Sequence, residues 1–575
     1  MGEIVAEAGR AATAVAPGAP PTPSSPSPAA TPAPAHRLGV TALILLGLTL
    51  AGAAWRLAAL VFNIWPHGDV VLDAAIAVSI ARDGRLLVPM VDVRYYPIDQ
   101  FGFGYPPDQH PPLWPLLGAL LVPVLGSGYA ALKVVSLLVG IALVPLTYAA
   151  LRIRVGHGPA LLAAALAAGS YPLADFSGNG SLWVLLVAWY LAWLWALPGG
   201  AHLESGRRWA LVGLIMGLGY LTNYPAVTLV GALVVTHVLW SGRAALRPTA
   251  LAGPAVALGV MLLTISPWLA FTWATFGSPV WSQPFQRTLA GGSRQVEYVI
   301  VGDEVIKRNL PPSPDSLAGL RERAVDLYGN VGFTARQLLI LTPVLSGLFL
   351  AGLATVGVGW WSTGRRGGWA HRTDDSAVSG AALRPLLPLV ALTLVHLALI
   401  LWWPTTKFRY LIPLLPLVFA VGAWFVWQLR PTSLRRPLVA VTLGLCLFTN
   451  LWTMLAIPSR TYYYNGGLVA DNFGQQGETL WVQDTRRLRA AADAIVARGP
   501  GVMLGDHILA PFTGQPLVVN STAYPPEVID LLVRKYGIRY VVAERAHQDR
   551  YAFLNPGVLW SDDRLVVLEL PGSAV

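Results

Sequence analysis

The chain has 575 residues, 54% of them hydrophobic and only 12% charged, with a formal net charge of +10. A soluble domain carries about 25% charged residues, so composition excludes a soluble globular protein and points to one with many membrane spans. The excess charge sits on arginines between apolar runs, which fits the anionic inner leaflet of a membrane and argues against nucleic acid as a partner.

Residues 1–36 include the stretch AVAPGAPPTPSSPSPAATPAPA, which is rich in Pro, Ala and Ser and has no apolar period. Such a segment cannot bury enough surface to fold and reads as a disordered tail. It lacks the basic start and short apolar core of a signal peptide. From there to residue 457 apolar runs recur near or above the ~20 residues that cross a bilayer as a helix. About 11 spans are expected, at 38–62, 129–151, 158–176, 181–198, 209–223, 224–240, 251–275, 336–360, 384–403, 409–428 and 436–457. The pair 209–223 and 224–240 is short, holds GYLTNYP, and reads equally as one broken or re-entrant unit.

Arginines mark alternate gaps: Arg152 and Arg154; Arg207 and Arg208; Arg243 and Arg247; Arg365, Arg366 and Arg372; Arg430, Arg435 and Arg436. Short basic loops stay in the cytoplasm. That rule makes the N-terminus cytoplasmic and puts four segments outside: the loop 63–128, a turn near 175–181, the loop 276–335 and the tail 458–575. The expected fold is therefore an α-helical polytopic transmembrane domain over 37–457, followed by a small extracytoplasmic domain over 458–575. Cys446 is the single cysteine and lies in a span, so no internal disulfide can form.

The first loop opens with HGDVVLDAAIAVSIARDG, His67 to Gly84. It reads as a helix along the membrane surface, closed by Gly84. Asp69 is either the cap of that helix or a carboxylate held at the membrane as a general base. Asp73, one turn on, is the alternative base. The stretch YPPDQHPPLWPLLGALLVPVLG, 105–126, reads as a juxtamembrane or re-entrant segment, being too short to span comfortably. In YPLADFSGNGS, 171–181, Asp175 falls on a tight turn, which is ordinary chemistry for Asp among Gly, Asn and Ser.

Three cations complete the set. Arg56 lies within the first span, where snorkelling to the headgroups is the simplest reading. Lys407 and Arg409, in WWPTTKFRYLIPLLP, sit at the outer mouth of a span beside Trp402, Trp403 and Tyr410. They are either interfacial anchors or contacts to an anionic ligand such as a phosphate. In the tail, RLRAAADAIVARG and PEVIDLLVRKYG read as helices, and GVMLG, PLVVN, IRYVVAE and LVVLEL as strands, which predicts a small α/β layer. Asp562 and Asp563 read as a solvated turn.

The order of these pieces resembles the GT-C superfamily of integral-membrane glycosyltransferases, in particular the lipid A aminoarabinose transferase and protein O-mannosyltransferase branch. The resemblance runs over most of 38–457: WRLAALVF ending the first span, GD opening an interfacial helix, HPPLWPLLGALLVPVLG, GLGYLTNYPA, FGSPVW, and KFRYLIPLLPL before an outer tail. It implies a transferase that moves a sugar, hexosyl or pentosyl, from a polyprenyl-phosphate donor to a lipid, glycan or protein acceptor. The reaction would lie at the outer face of a cytoplasmic membrane, in a bacterial cell envelope. It implies Asp69 as the catalytic carboxylate, Asp175 as the second-loop acidic residue, and Arg409 as a phosphate contact, with Lys407 and Arg56 as further candidates. Two departures stand out. Val70 replaces a second acidic residue directly after the first, and His110 precedes the PPL segment where many members have Lys. A divalent cation, Mg or Mn, would need Asp69 and Asp175 to converge on the phosphate, and the sequence leaves the metal open. Two other classes compete: a lipid-linked sugar transporter or flippase, since intramembrane charges and broken helices also mark substrate pathways, and a non-enzymatic envelope assembly protein presenting 458–575. No inverted repeat supports the former, and the latter leaves the outer Asp and Arg set without a role.

Overall fold

The computed structural model describes residues 35–62, 68–92, 103–107, 109–197, 206–280, 296–301, 304–309, 317–365, 383–403, 408–429, 432–456, 485–520 and 524–571. Lys407 and residues 1–34 lie outside the described residues. The helices in chain order are α1 (Ala35–Phe62), α2 (Gly68–Asp83), α3 (Leu113–Leu125), α4 (Gly128–Val155), α5 (His157–Gly169), α6 (Tyr171–Gly178), α7 (Trp183–Ala196), α8 (Gly206–Thr222), α9 (Thr228–Ser241) and α10 (Pro248–Phe276). They continue with α11 (Leu317–Leu341), α12 (Pro343–Arg365), α13 (Leu387–Trp402), α14 (Leu415–Gln428) and α15 (Arg435–Ala456).

Among the described residues six helices are long and apolar enough to cross a membrane, or up to eight if two bent pairs each count as one span. The expected span 158–176 is one of those pairs: α5 and α6 meet at 54°. The expected span 336–360 is the other. Its helix begins far earlier, at Leu317, and breaks at 116° near Thr342. The expected loop 276–335 thus holds an antiparallel hairpin, β2 (Val296–Val301) with β3 (Glu304–Asn309), and most of α11. The pair expected at 209–223 and 224–240 is two helices, α8 and α9, joined by a 3-10 turn at Tyr224–Val227.

The break between α5 and α6 has a definite chemistry. A helix end leaves carbonyls without intrahelical partners. Arg56, on α1, is fully buried and donates from Nη2 to the Ala167 carbonyl at 3.2 Å and from Nη1 to Ala168 at 3.4 Å. A guanidinium also complements the negative end of the α5 dipole. The expectation that Arg56 snorkels to the headgroups is corrected: it turns inward because these carbonyls need donors. On the other side of the break, Asn450 of α15 accepts from the Tyr171 amide. Arg154, read above as a topology marker, caps α7 in the same way, through the carbonyls of Leu194 and Leu197 at 2.6 Å.

The α/β unit is a six-stranded mixed sheet in the order β1-β5-β4-β6-β8-β7. Its tail strands are β4 (Val502–Gly505), β5 (Leu517–Val519), β6 (Ile538–Glu544), β7 (Gly557–Ser561) and β8 (Leu565–Glu569). Helices α16 (Thr485–Arg498) and α17 (Pro526–Tyr536) flank them. The two helices and four of these strands are those expected. The edge strand β1 (Met90–Val91) comes from the first loop and pairs parallel with β5. Asp562 lies in a turn, as expected; its Oδ1 accepts from the amides of Arg564 and Leu565, and Arg487 pairs with Asp563 at 2.8 Å.

Helix α2 joins the two regions. Its Val71 and Ile76 belong to the same core as Leu488, Met503 and Leu517 of the α/β unit. Its Val70 and Ala74 belong to the bundle core with Trp114 and Leu132, and Ala77 packs with Ala119 and Ala131. The helix expected to lie along a membrane surface is therefore buried on several faces. Its expected end holds: Gly84 takes φ +64°, and its amide reaches the Ile80 carbonyl at 3.1 Å, a conformation that favours glycine. The approach of α4 depends on Gly128, where any Cβ would overlap the Ala74 carbonyl oxygen.

Candidate active site

The site forms at the N-terminal turns of α2. A helix places residues four apart on one face, so Asp69 and Asp73 point the same way. Each has its own cation. Arg409 Nη1 stands 2.9 Å from Asp69 Oδ2, with the two side chains 12% and 21% exposed. His110 Nδ1 stands 3.2 Å from Asp73 Oδ1, with the side chains 12% and 2% exposed. The structure thus brings together Asp69, Arg409 and the alternative base Asp73, and adds His110, whose role the sequence left open. Asp69 lies inside the first turn of α2, with its carboxylate against Arg409.

The two pairs also act on each other. Burial pushes the Asp73 carboxyl above its ordinary range, against the pull of His110, and the Asp69 charge adds to the rise. Burial works against a charged His110 ring, but the Asp73 carboxylate outweighs it, helped by Asp69 and opposed by Arg409, so the ring is raised. Both shifts have the same consequence: the Asp73–His110 pair holds a proton more tightly than either group would alone.

Local structure fixes each group. Arg409 lies on a 3-10 turn, Phe408–Leu414, that leads into α14. His396 of α13 holds that turn, with Nε2 2.9 Å from the Tyr410 carbonyl and Nδ1 2.8 Å from the Tyr190 hydroxyl. An imidazole that donates from Nε2 to a carbonyl must accept at Nδ1, here from Tyr190. The Tyr410 ring meets Trp183 edge-on at 5.3 Å and Trp403 at 6.0 Å. Beside it a pocket is lined by Pro225, His396, Leu399, Ile400, Trp403 and Tyr410. His110 is held by the segment PPLW: the Trp114 indole donates to the Gly180 carbonyl at 3.1 Å, which ties the start of α3 to the turn after α6.

Asp175 is placed differently from expectation. It lies inside α6, 3% exposed, and not on a turn. Pro172 in the first turn supports helix initiation there, and the turn comes later, at Asn179–Ser181, where the Asn179 side chain accepts from the Ser181 amide. The Asp175 carboxylate acts electrostatically on Tyr129 and Tyr171. Its neighbour Phe176 packs on Phe408 with centroids 6.1 Å apart, so α6 braces the turn that carries Arg409. Sequence reasoning also missed Lys133, on α4, whose Nζ lies 5.1 Å above the Tyr129 ring. It was absorbed into a span by its apolar neighbours. Arg56 is committed to the α5 carbonyls, as described above.

Among the described residues no group of three or more His, Cys, Asp or Glu is placed to hold a metal ion. Asp69 is engaged by Arg409, and Asp175 sits within α6. These residues do not present a ready ligand set for Mg or Mn.

This arrangement sits in a recognisable fold. Residues 109–271 match the family described as dolichyl-phosphate-mannose-protein mannosyltransferase. ArnT from Cupriavidus metallidurans in the apo state superposes with a TM-score of 0.56 at 13% identity, over 93% of this chain and 98% of that one. The same protein bound to undecaprenyl phosphate gives 0.56 at 14% identity, over 93% and 99%. The oligosaccharyltransferase AglB from Archaeoglobus fulgidus, in complex with an inhibitory peptide and a dolichol-phosphate, gives 0.52 at 12% identity, over 88% of this chain and 70% of that one. No curated protein matches the chain in sequence. The protein is a multi-pass membrane protein with an ArnT-like fold and a small C-terminal α/β unit, and its residues 109–271 are similar to the mannosyltransferase family.

Proposed function

We propose that the protein is a glycosyltransferase that moves a sugar, a hexose or a pentose, from a polyprenyl-phosphate donor to an acceptor hydroxyl on a lipid, glycan or protein. The observation that carries this reading is the Asp69–Arg409 pair at 2.9 Å, set beside an aromatic pocket in a GT-C-like fold. The fold neighbours, whose structures hold undecaprenyl phosphate or dolichol-phosphate, support the donor class. The basic gaps between spans support the sidedness, with the N-terminus cytoplasmic and the site at the outer face of the cytoplasmic membrane.

The pair suits this chemistry because its two members have opposite partners in the substrate. A guanidinium grips two phosphate oxygens with its planar fork. A phosphate that takes Arg409 draws it from Asp69 and releases a carboxylate beside the acceptor. Asp69 then accepts the hydroxyl proton as the acceptor oxygen attacks the anomeric carbon. The bond from that carbon to the phosphate oxygen breaks, and its electron pair stays with the phosphate. Negative charge grows there in the transition state, where Arg409 stabilises it.

The test is the purified protein in proteoliposomes with a panel of undecaprenyl-phosphate-linked hexoses and pentoses and a membrane extract as the source of acceptor, read as release of undecaprenyl phosphate. Release from at least one donor is expected. Intact donor throughout, with donor moved between leaflets, would replace this reading with a transporter.

A further inference from the structure

Breaking the glycosyl–phosphate bond turns a phosphodiester monoanion into a phosphomonoester dianion, and a proton delivered to the departing oxygen lowers the charge that builds there. We propose that His110, oriented by Asp73, donates a proton to the phosphate oxygen as it leaves. This rests on the glycosyltransferase reading and adds a general acid to it.

The geometry supports the role in three ways. Asp73 and Asp69 are one helical turn apart on α2, so a group bound to Asp73 stands beside the place where a phosphate meets Arg409. The His110 Nδ1 is committed to Asp73 at 3.2 Å, which fixes the ring and makes Nε2 the nitrogen that gains or loses a proton. Asp73 itself is only 2% exposed, so it is poorly placed to meet substrate and acts through the ring. The charged groups acting on His110 are Asp73 and Asp69 from α2 and Arg409 from the turn before α14. Burial opposes a charged ring, but the bond to Asp73 and the two carboxylates outweigh it and the one guanidinium, and favour the protonated form that an acid requires.

The proton count closes. The acceptor hydroxyl gives one proton to Asp69. His110 gives one to the phosphate. Asp69 then returns its proton to His110 through water, and the net transfer is one proton from acceptor to phosphate. Because the folded-state pKa of His110 is raised, turnover should be retained below that value and fall as pH rises through it.

The experiment uses whichever undecaprenyl-phosphate sugar the wild type consumes, and follows kcat against pH for wild type, His110→Gln and His110→Lys. His110→Gln should lose about 10²-fold in kcat, with donor KM within about threefold, and its profile should be flat where the wild type declines. His110→Lys keeps a cation with a far higher pKa. It should stay impaired near neutral pH, and its basic limb should move up. Binding of undecaprenyl phosphate reports whether each variant is folded. If His110→Gln does not fold, the lysine variant decides alone. An unchanged basic limb in either variant, or full turnover in His110→Lys, would overturn the proton role while leaving the transferase reading intact. A wild type that consumes no donor would overturn both.

Discussion

Replacing Asp69 by Asn should change donor affinity and turnover in opposite directions. The substitution keeps the shape of the side chain and removes its charge. Two unit charges 4 Å apart attract by about 4 kcal/mol at an effective dielectric of about 20, and Asp69 and Arg409 are closer, at 2.9 Å. Their side chains are 21% and 12% exposed, so water screens part of that attraction and desolvation offsets more. A net value on the order of 1–2 kcal/mol remains. A donor phosphate must displace this contact, so Asp69→Asn should bind undecaprenyl phosphate about 5–30-fold tighter. The same variant has no base for the acceptor proton, so turnover should fall by roughly two to four orders of magnitude, or about 3–5 kcal/mol of barrier. The assay is titration of the detergent-solubilised protein with undecaprenyl phosphate, alongside donor consumption at saturation. Weaker binding, or turnover within tenfold of wild type, would refute the reasoning. Turnover lost in Asp73→Asn but kept in Asp69→Asn would remove Asp69 as the base.

Three further outcomes follow from the same geometry. Arg409→Lys should lower turnover even at saturating donor, because a point charge cannot reproduce the two-oxygen grip; rate-versus-donor curves that superimpose on wild type would make Arg409 a membrane anchor. Arg56→Gln should lower stability in detergent by about 2–4 kcal/mol, through carbonyls left without donors, and leave the donor KM of the folded fraction unchanged; a raised KM with unchanged melting would return Arg56 to the donor site. An Asp563→Cys variant in a Cys446→Ala background should react with an impermeant thiol reagent on intact cells after outer-layer permeabilisation; labelling only after lysis would invert the topology.

Much of this architecture was legible because it rests on local patterns. Apolar length located α1, α4, α10 and α15, and short apolar, β-branched runs located β4, β5, β6 and β8. The strand β1 was not legible, since two residues have no period and pair only because β5 lies beside them. The burial of α2 was hidden for the same reason: some of its apolar core partners lie in the tail, more than 400 positions away in sequence. Asp175 was misplaced because Gly, Asn and Ser after it suggested a turn, while the initiating signal at Pro172 was overlooked. Arg56 was read by its depth in a span, but its partner is the end of another helix, which no spacing rule reveals. The Asp69–Arg409 and Asp73–His110 pairs span 340 and 37 positions. Chemistry suggested Asp69, Asp73 and Arg409 one by one, His110 stood out only as a departure from the family pattern, and only the fold paired them.

The central claim is that a donor phosphate binds at Arg409, next to Asp69. The most direct measurement is a cryo-EM structure of the protein in nanodiscs with undecaprenyl phosphate. The account predicts phosphate density within hydrogen-bond distance of the Arg409 guanidinium, with Asp69 withdrawn from it and His110 alongside. Phosphate density elsewhere, with the Asp69–Arg409 pair still closed, would contradict it.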